Sequence, residues 1–175
     1  MNKINVKIFN KGKQTLPIYG SEYSSGFDLK SNFSEKKTTD DFLGNKLYDF
    51  DAEKKELKLF QNGGRVLIPT GLHISLPDGY ELQIRARSGL ALKHGITVSN
   101  GVGTIDQDYL GELGVILINT DPNNSFVIKD GDRIGQGILK QVEQVNWIPV
   151  NTINELGDTL RGHGGFGHTG ISDTK

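Results

Sequence analysis

The chain has 175 residues, which is enough for one domain with or without a tail. Its 20 Lys and Arg residues against 21 Asp and Glu residues leave a formal net charge of −1, so charge favours neither a nucleic-acid partner nor a membrane surface. The absence of cysteine excludes disulfides and cysteine-ligated metal sites.

The N-terminal segment, residues 1–14, alternates polar and apolar side chains and lacks a long apolar core. We therefore expect no signal peptide, and no run of the sequence reaches the length of a membrane span. Residues 4–8 alternate with a period of two, which predicts a first strand. These features lead us to expect a soluble, cytoplasmic protein.

Most later apolar segments are short and separated by glycine or proline turns, a pattern typical of an all-β sandwich or barrel. Only residues 89–93 have the pattern of a short helical turn, with Ser88 as the predicted N-cap. The predicted strands are residues 57–59, 66–68, 72–76, 80–84, 115–118, 126–128, 133–139 and 147–150.

One segment, at about 33–55, differs from the rest because it is rich in charge and poor in apolar periodicity. We predict that it is a surface insertion, such as a charged hairpin, that carries no chemistry. The predicted organisation is therefore a β domain over residues 1–160 that contains this insertion, followed by a glycine-rich arm over 161–175.

Several polar residues stand out against this background. Asp28 lies between two apolar side chains and is either a turn cap or a buried acid that needs a cationic or metal–water partner. Arg87 and Ser88 end a predicted strand, where they either bind phosphate or form ordinary surface contacts. Arg133 and Gln136 interleave with apolar residues, so they reach a pocket or an interface, or else form the polar face of an edge strand.

The stretch 100–119, NGVGTIDQDYLGELGVILIN, has the strongest pattern in the chain. Pairs of glycines border a loop that contains Asp106, Asp108 and Tyr109, and a buried-type strand follows. Glycine permits a positive φ or a close approach of the backbone to a ligand. The loop is therefore either an ordinary polar hairpin or one that presents a carboxylate and an aromatic ring to a ligand.

The last glycine-rich segment, 161–170, formally contains G-x-G-x-x-G. It has no strand-to-helix context, which excludes a dinucleotide-binding fold. The segment is either a disordered terminus or an arm that closes over a ligand, with Arg161 on phosphate and Phe166 on a base.

Five motifs in order carry a resemblance: SSGFDL (24–29), RSG (87–89), NGVGTIDQDYLGE (100–112), GDRIGQ (131–136) and RGHGGFGHTG (161–170). As an ordered set they closely resemble those of the trimeric dUTPase family. The resemblance implies a jelly-roll-like β-barrel of the dUTPase-like β-clip type. It also implies a homotrimer with three active sites at the subunit contacts and a C-terminal arm.

The resemblance further implies that the chain hydrolyses dUTP to dUMP and diphosphate, which limits uracil in DNA and supplies dUMP for dTMP synthesis. Asp106 would activate a water for attack on the α-phosphorus. Mg²⁺ would be held mainly by the substrate phosphates, with Asp28 and Gln136 acting through water. No nucleic-acid or membrane partner is implied.

The resemblance assigns the substrate-binding residues to three parts of the trimer. One subunit would supply the phosphate-side residues, a second the uracil-binding hairpin, and a third the closing arm. The phosphate-side residues are Arg87, Ser88, Gly89, Arg133 and Gln136. The hairpin residues are Asn100, Gly103, Thr104, Ile105, Tyr109 and Gly114, and the arm residues are Arg161, Phe166, Gly167, His168 and Thr169.

Two alternatives are open. A dCTP deaminase resembles this family in fold, but it would need a glutamate as the proton shuttle at the base, where this hairpin offers Asp106. A non-catalytic binding module on the same barrel, with the insertion recruiting a partner, would not require Asp106, Tyr109 and Arg161.

Overall fold

The computed structural model describes residues 3–34 and 47–165. The chain divides into two compact units, residues 1–143 and 144–175, so the division falls earlier than the predicted arm. Among its described residues, the first unit contains twelve strands and one helix. They are β1 (Lys7–Asn10), β2 (Phe27–Lys30), β3 (Tyr48–Asp51), β4 (Glu56–Leu59), β5 (Arg65–Pro69), β6 (Leu72–Ser75), β7 (Tyr80–Arg85), α1 (Ser88–His94), β8 (Ile96–Val98), β9 (Gly103–Ile105), β10 (Gly114–Asn119), β11 (Phe126–Lys129) and β12 (Arg133–Gln141).

The predicted all-β class is confirmed. The strands pair antiparallel in four sheets, β1-β6, β5-β10-β8, β11-β4-β3 and β2-β12-β7-β9. In the part of the chain that the structure describes, these sheets do not join into the closed barrel that the sequence predicts. Strand pairing stops at short turns such as the one at Gly71, so neighbouring sheets meet at corners.

The core forms because successive side chains of a strand point to opposite faces, so apolar residues at every second position are buried together. In β10, for example, Val115 and Leu117 are buried while Ile116 between them is exposed. The same alternation buries Leu57 and Leu59 in β4. Each such side chain contributes about 1.5–3 kcal/mol of burial free energy, which makes this alternation the main source of stability.

Both ends of the predicted insertion belong to the body of the protein. Phe33 is 5 % exposed, and its ring packs 5.3 Å from that of Phe50. Phe50 lies in β3, which pairs along its length with β4. The alternating aromatic and acidic residues at 48–51 therefore form a strand of a sheet. Residues 35–46, the middle of the predicted insertion, lie outside the described residues.

The short helix begins one residue earlier than predicted. Ser88 is its first residue, and Arg87 is the N-cap, with an extended backbone (φ −89°, ψ 123°) and no side-chain capping bond. The prediction of Ser88 as N-cap is therefore wrong. Gly95 ends the helix with a φ of 64°. The strand β8 follows at once, and its three residues are too few to show a periodicity in the sequence.

The second unit, described to residue 165, contains a short 3₁₀ helix, η1 (Ile153–Leu156). Its first turn is closed by a capping box in which the Thr152 N–H donates to Glu155 Oε1 at 2.9 Å. The strand predicted at 147–150 is wrong: between residues 144 and 165 the structure has no strand. Apolar β-type residues form a strand only against a partner edge, and Pro149 lacks an N–H for one.

Across residues 3–34 and 47–165, no helix has the length and apolar character that crossing a bilayer requires.

We predict that Gly71→Ala lowers the free energy of unfolding by about 2–4 kcal/mol, because of both strain and overlap. Gly71 has a φ of +72°, and a Cβ there would lie 2.9 Å from the Gly12 nitrogen. Gly79→Ala is the matched control, since Gly79 has a φ of +76° with open space around it, and we expect it to cost about 1 kcal/mol. Urea unfolding measures both; equal costs would contradict the prediction.

Candidate functional site

Residues 100–114, the predicted hairpin, line one side of a cleft of about 180 Å³. Within one chain β9 pairs with β7 while β10 pairs with β5 and β8, so the two strands do not pair with each other; we keep the name hairpin for this segment. All six residues predicted for the hairpin site line it: Asn100, Gly103, Thr104, Ile105, Tyr109 and Gly114. The sequence analysis missed the other five lining residues, Leu67, Ile84, Val98, Glu112 and Ile116. A cleft of this size is smaller than a typical drug-sized site, so it fits one ring of a ligand.

Two glycines keep this cleft open. A Cβ at Gly103 would lie 3.1 Å from Ile84 Cβ, because β9 pairs with β7 at that position. A Cβ at Gly114 would lie 3.2 Å from Leu67 Cγ, in the neighbouring pairing of β10 with β5. Any larger residue at either position would move the strands apart or fill the cleft.

Tyr109 is held in place by the loop itself. Its hydroxyl donates to the Glu112 carbonyl oxygen at 3.0 Å, and its N–H donates to the Asp106 carbonyl oxygen at 3.2 Å. A Cβ at Gly111 would overlap the tyrosine ring, at 2.8 Å from Cε2. Gly111 is therefore required for this ring position, which places an aromatic face at the edge of the cleft.

The far end of the loop is anchored to the turn between β5 and β6. The Gly71 N–H donates to Glu112 Oε1 at 2.7 Å. The Thr70 hydroxyl donates to the Leu113 carbonyl oxygen at 2.7 Å, and the Leu113 side chain is buried in the core. Because these anchors lie about forty residues away in sequence, the loop alone could not have revealed them.

Asp106, the predicted catalytic carboxylate, lies at the end of β9 and is exposed in the single chain. It follows Ile105, which pairs with Leu82 of β7, and its carbonyl oxygen accepts the Tyr109 N–H. The backbone of Asp106 is thus held where the strand turns into the loop, directly after Ile105, which lines the cleft.

A second cluster forms around Asp28, on β2. Arg87 Nε donates to Asp28 Oδ1 at 3.0 Å, and Arg133 Nη1 donates to Asp28 Oδ2 at 3.3 Å. The Asp28 side chain is 21 % exposed and that of Arg87 is 25 % exposed. Asp28 is therefore a partly buried acid whose partners are cations, and the side chain of one of them, Arg133, is 58 % exposed.

A bulge in β12 brings two more predicted residues to this cluster. The register of β12 against β2 shifts between Arg133 and Gly135, so Ile134 and Gly135 are buried one after the other. Arg133 and Gln136 then face the same side although they are three residues apart. Gln136 lies opposite Asp28, and its Nε2 donates to the Ala86 carbonyl oxygen at 3.2 Å, next to Arg87 and Ser88.

The two clusters are separate within one chain. In the part of the chain that the structure describes, the cleft is lined by none of the residues Asp28, Arg87, Ser88, Gly89, Arg133 and Gln136. Arg161 belongs to the second unit, where its Nε donates to the Gly164 carbonyl oxygen at 2.7 Å. Phe166, Gly167, His168 and Thr169 lie outside the described residues.

The described residues also limit how a metal could bind. Across residues 3–34 and 47–165, no group of three or more His, Cys, Asp or Glu side chains could hold a metal ion. Both oxygens of Asp28 accept hydrogen bonds from arginines. This donor set fits a metal held through water and ligand oxygens, and it does not fit a metal in a cage of protein ligands.

A protein-family model described as dUTPase matches residues 47–170. The chain belongs to the dUTPase family. The deoxyuridine 5'-triphosphate nucleotidohydrolase of Fusobacterium nucleatum is 42 % identical over 170 residues, which cover 97 % of this chain and 99 % of that protein. The protein of the same name from Finegoldia magna is 44 % identical over 167 residues, with coverages of 95 % and 99 %.

Solved structures of phage dUTPases share the fold. The dUTPase of Staphylococcus bacteriophage 80alpha with dUPNHPP has a TM-score of 0.74 at 19 % identity and covers 97 % of this chain and 100 % of its own. A mutant dUTPase from phage phi11 of S. aureus, described with a structural Mg(II) ion, has a TM-score of 0.65 at 16 % identity, with coverages of 86 % and 99 %. At these identities the likeness concerns the fold alone.

We predict that Asp28→Asn lowers the free energy of unfolding by about 1–3 kcal/mol, because it leaves two arginines without their shared carboxylate. Glu56→Gln is the matched control: Glu56 pairs with Lys129 at 3.2 Å, but the lysine is 67 % exposed. That change should cost less than about 0.5 kcal/mol. Urea unfolding at neutral pH compares the two, and an Asp28→Asn cost as small as the control's would contradict the prediction.

Proposed function

We propose that the chain is a dUTP diphosphatase, which hydrolyses dUTP to dUMP and diphosphate. The observation that carries the proposal is the cleft at the hairpin, which the six predicted hairpin residues line together. The membership of the dUTPase family and the names of the two bacterial relatives support the choice of substrate.

The cleft suits the recognition of uracil. The side chain of Asn100 and the backbone groups of Thr104, Ile105 and Gly114 supply fixed donors and acceptors to the edge of the base. Cytosine carries an amino donor at C4, where uracil carries a carbonyl acceptor. Cytosine would therefore leave polar groups of the cleft without hydrogen-bond partners, which strongly disfavours its binding. The C5 methyl group of thymine finds no room, because Gly103 and Gly114 already bring the strands close to Ile84 and Leu67.

Tyr109 packs under the deoxyribose in this proposal. Its hydroxyl is bound to the Glu112 carbonyl oxygen and its backbone to that of Asp106, so the ring cannot retreat without breaking these bonds. A ribose would bring its 2′-hydroxyl against the ring. UTP is therefore rejected because its 2′-hydroxyl would clash with the Tyr109 ring.

The chemical step uses Asp106 as the general base. Its carboxylate accepts a proton from a water molecule as that water attacks the α-phosphorus, and diphosphate leaves on the opposite side. Arg87 and Ser88 bind the phosphate oxygens and stabilise the charge that develops there. The protein forms no covalent bond to the substrate in this step. Most of the rate enhancement therefore comes from the positions of Asp106, Arg87 and Ser88 relative to the reacting atoms.

Mg²⁺ would neutralise the charge of the triphosphate when it is bound. In this proposal the substrate phosphates hold the ion, and Asp28 and Gln136 contact it through water. The arginine partners of Asp28 favour such an indirect role over direct coordination.

We also propose that the active sites are shared in a homotrimer. The separation of the cleft from the Asp28 cluster within one chain supports this, since one substrate must contact both. The arm at 161–175, with Arg161, Phe166, Gly167, His168 and Thr169, would close over the site from a third subunit. In a cytoplasmic enzyme this activity would limit uracil in DNA and supply dUMP for dTMP synthesis.

We predict that diphosphate release from dUTP exceeds that from dTTP, dCTP and UTP by about 100-fold or more, measured with and without Mg²⁺. Asp106→Asn is the control for the chemistry: it should bind dUTP but turn it over at least about 1,000-fold more slowly. Ammonia release from dCTP would instead indicate a deaminase, and binding without turnover by the wild type would indicate a binding module.

Sharing of the site predicts complementation between two inactive variants. Asp106→Asn lacks the base, and a second variant with Arg87→Gln and Ser88→Ala lacks the phosphate contacts. When the two are unfolded and refolded together in equal amounts, about one quarter of the sites should contain both wild-type halves and recover activity. Separately refolded variants, mixed afterwards, are the control. Activity of the co-refolded sample no higher than this control would place each site within one chain.

A further inference from the structure

Gln107, the residue directly after Asp106, ties the loop to the turn before β7. Its Nε2 donates to Asp78 Oδ1 at 2.8 Å, and its Oε1 accepts the Gly79 N–H at 3.1 Å. Both halves of the amide are therefore used, one as donor and one as acceptor. A carboxylate could not donate to Asp78 and an ammonium could not accept from Gly79, so the amide suits both partners.

The turn that receives Gln107 is itself well fixed. Gly79 has a φ of +76°, which sets the direction of the turn. Its carbonyl oxygen accepts the N–H of Val142, just beyond β12, at 2.9 Å. The turn that binds Gln107 is thus also hydrogen-bonded to the residue that follows β12.

As a result, Asp106 is flanked by two anchored neighbours. Ile105 pairs with Leu82 of β7, and Gln107 is bound to the turn that leads into the same strand. The Tyr109 N–H adds a third restraint at the Asp106 carbonyl oxygen. The backbone around the carboxylate can then move only if β7 and its turn move with it.

We propose that Gln107 is a positioning residue, which holds the Asp106 carboxylate at the attacking water through its amide bonds to Asp78 and Gly79. The inference rests on the proposed function, in which Asp106 is the base. An error of about 1 Å in the placement of such a group can cost up to about 100-fold in rate, so two modest hydrogen bonds can have a large catalytic effect.

The test exchanges the donor and the acceptor. In Gln107→Glu two carboxylates face each other, and the variant should lose about tenfold in kcat with KM changed less than about twofold. The double variant Asp78→Asn/Gln107→Glu restores one donor and one acceptor at the wild-type net charge. It should regain kcat to within about threefold of the wild type.

Gln14→Glu is the matched control, because Gln14 Nε2 donates to Asp130 Oδ2 at 3.1 Å, away from the hairpin. This variant should lose stability and keep its kcat. An unchanged kcat in Gln107→Glu would overturn the proposal. A double variant as slow as the single one would also overturn it, because it would show that the added charge itself matters. An equal loss of kcat in Gln14→Glu would overturn it as well, because the loss would then follow from general destabilisation.

Amide hydrogen exchange separates this inference from the proposed function. In Gln107→Glu the Gly79 and Tyr109 N–H groups should exchange about tenfold faster, and the double variant should restore their protection. If the wild type released no diphosphate from dUTP, the proposed function would fail, and the exchange rates alone would decide whether Gln107 holds the Asp106 backbone. If the Tyr109 N–H then exchanged in Gln107→Glu at the wild-type rate, the positioning role of Gln107 would be wrong.

Discussion

The pairing of β7 with β9 on one side and β12 on the other is the constraint on which the site depends. The pairing with β9 fixes Gly103, Thr104 and Ile105 against β7. The pairing with β12 sets Gln136 opposite Arg85, and the same residue of β12 lies opposite Asp28 in β2. The end of β7 then leads directly to Arg87. A single six-residue strand therefore positions the hairpin and the phosphate-side cluster together.

The Asp28 cluster brings two cations close together. Two neighbouring arginines would repel each other, and a shared carboxylate lowers that cost. Asp28 holds each guanidinium through a single N–H, and Arg87 Nη1 also donates to the Arg133 carbonyl oxygen at 3.3 Å, so the two arginines are linked both through the carboxylate and directly. Asp28 is 21 % exposed and Arg87 25 %, so their bond is partly shielded from water, whereas Arg133 is 58 % exposed. The carboxylate therefore orients the cations without cancelling their charge.

The sequence revealed those parts of the fold that local patterns encode. The alternation of side chains predicted nearly every long strand, and the hairpin residues were found because glycines, a carboxylate and an aromatic ring lie close together in sequence. The strand at Ile96–Val98 was missed because three residues show no period. The strand predicted at 147–150 failed because apolar residues and a proline do not reveal whether a partner edge exists.

Other errors arose from contacts between residues far apart in sequence. Phe33 and Phe50 looked like parts of a surface insertion until their packing showed that they cover the core. The bulge that aligns Arg133 with Gln136 depends on the register against β2, which no local pattern states. The anchors of the hairpin, Glu112 to Gly71 and Gln107 to Asp78, are long-range hydrogen bonds of ordinary polar residues.

These anchors explain why the loop can be both exposed and rigid. A polar loop of eight residues between β9 and β10 would normally be mobile, because it buries little apolar surface. Here Leu113 enters the core, Glu112 and Gln107 bind two separate turns, and Tyr109 closes the loop on itself. The entropic cost of ordering the loop is thus met during folding. A ligand that enters the cleft does not have to order the loop, so more of its interaction free energy remains as binding free energy.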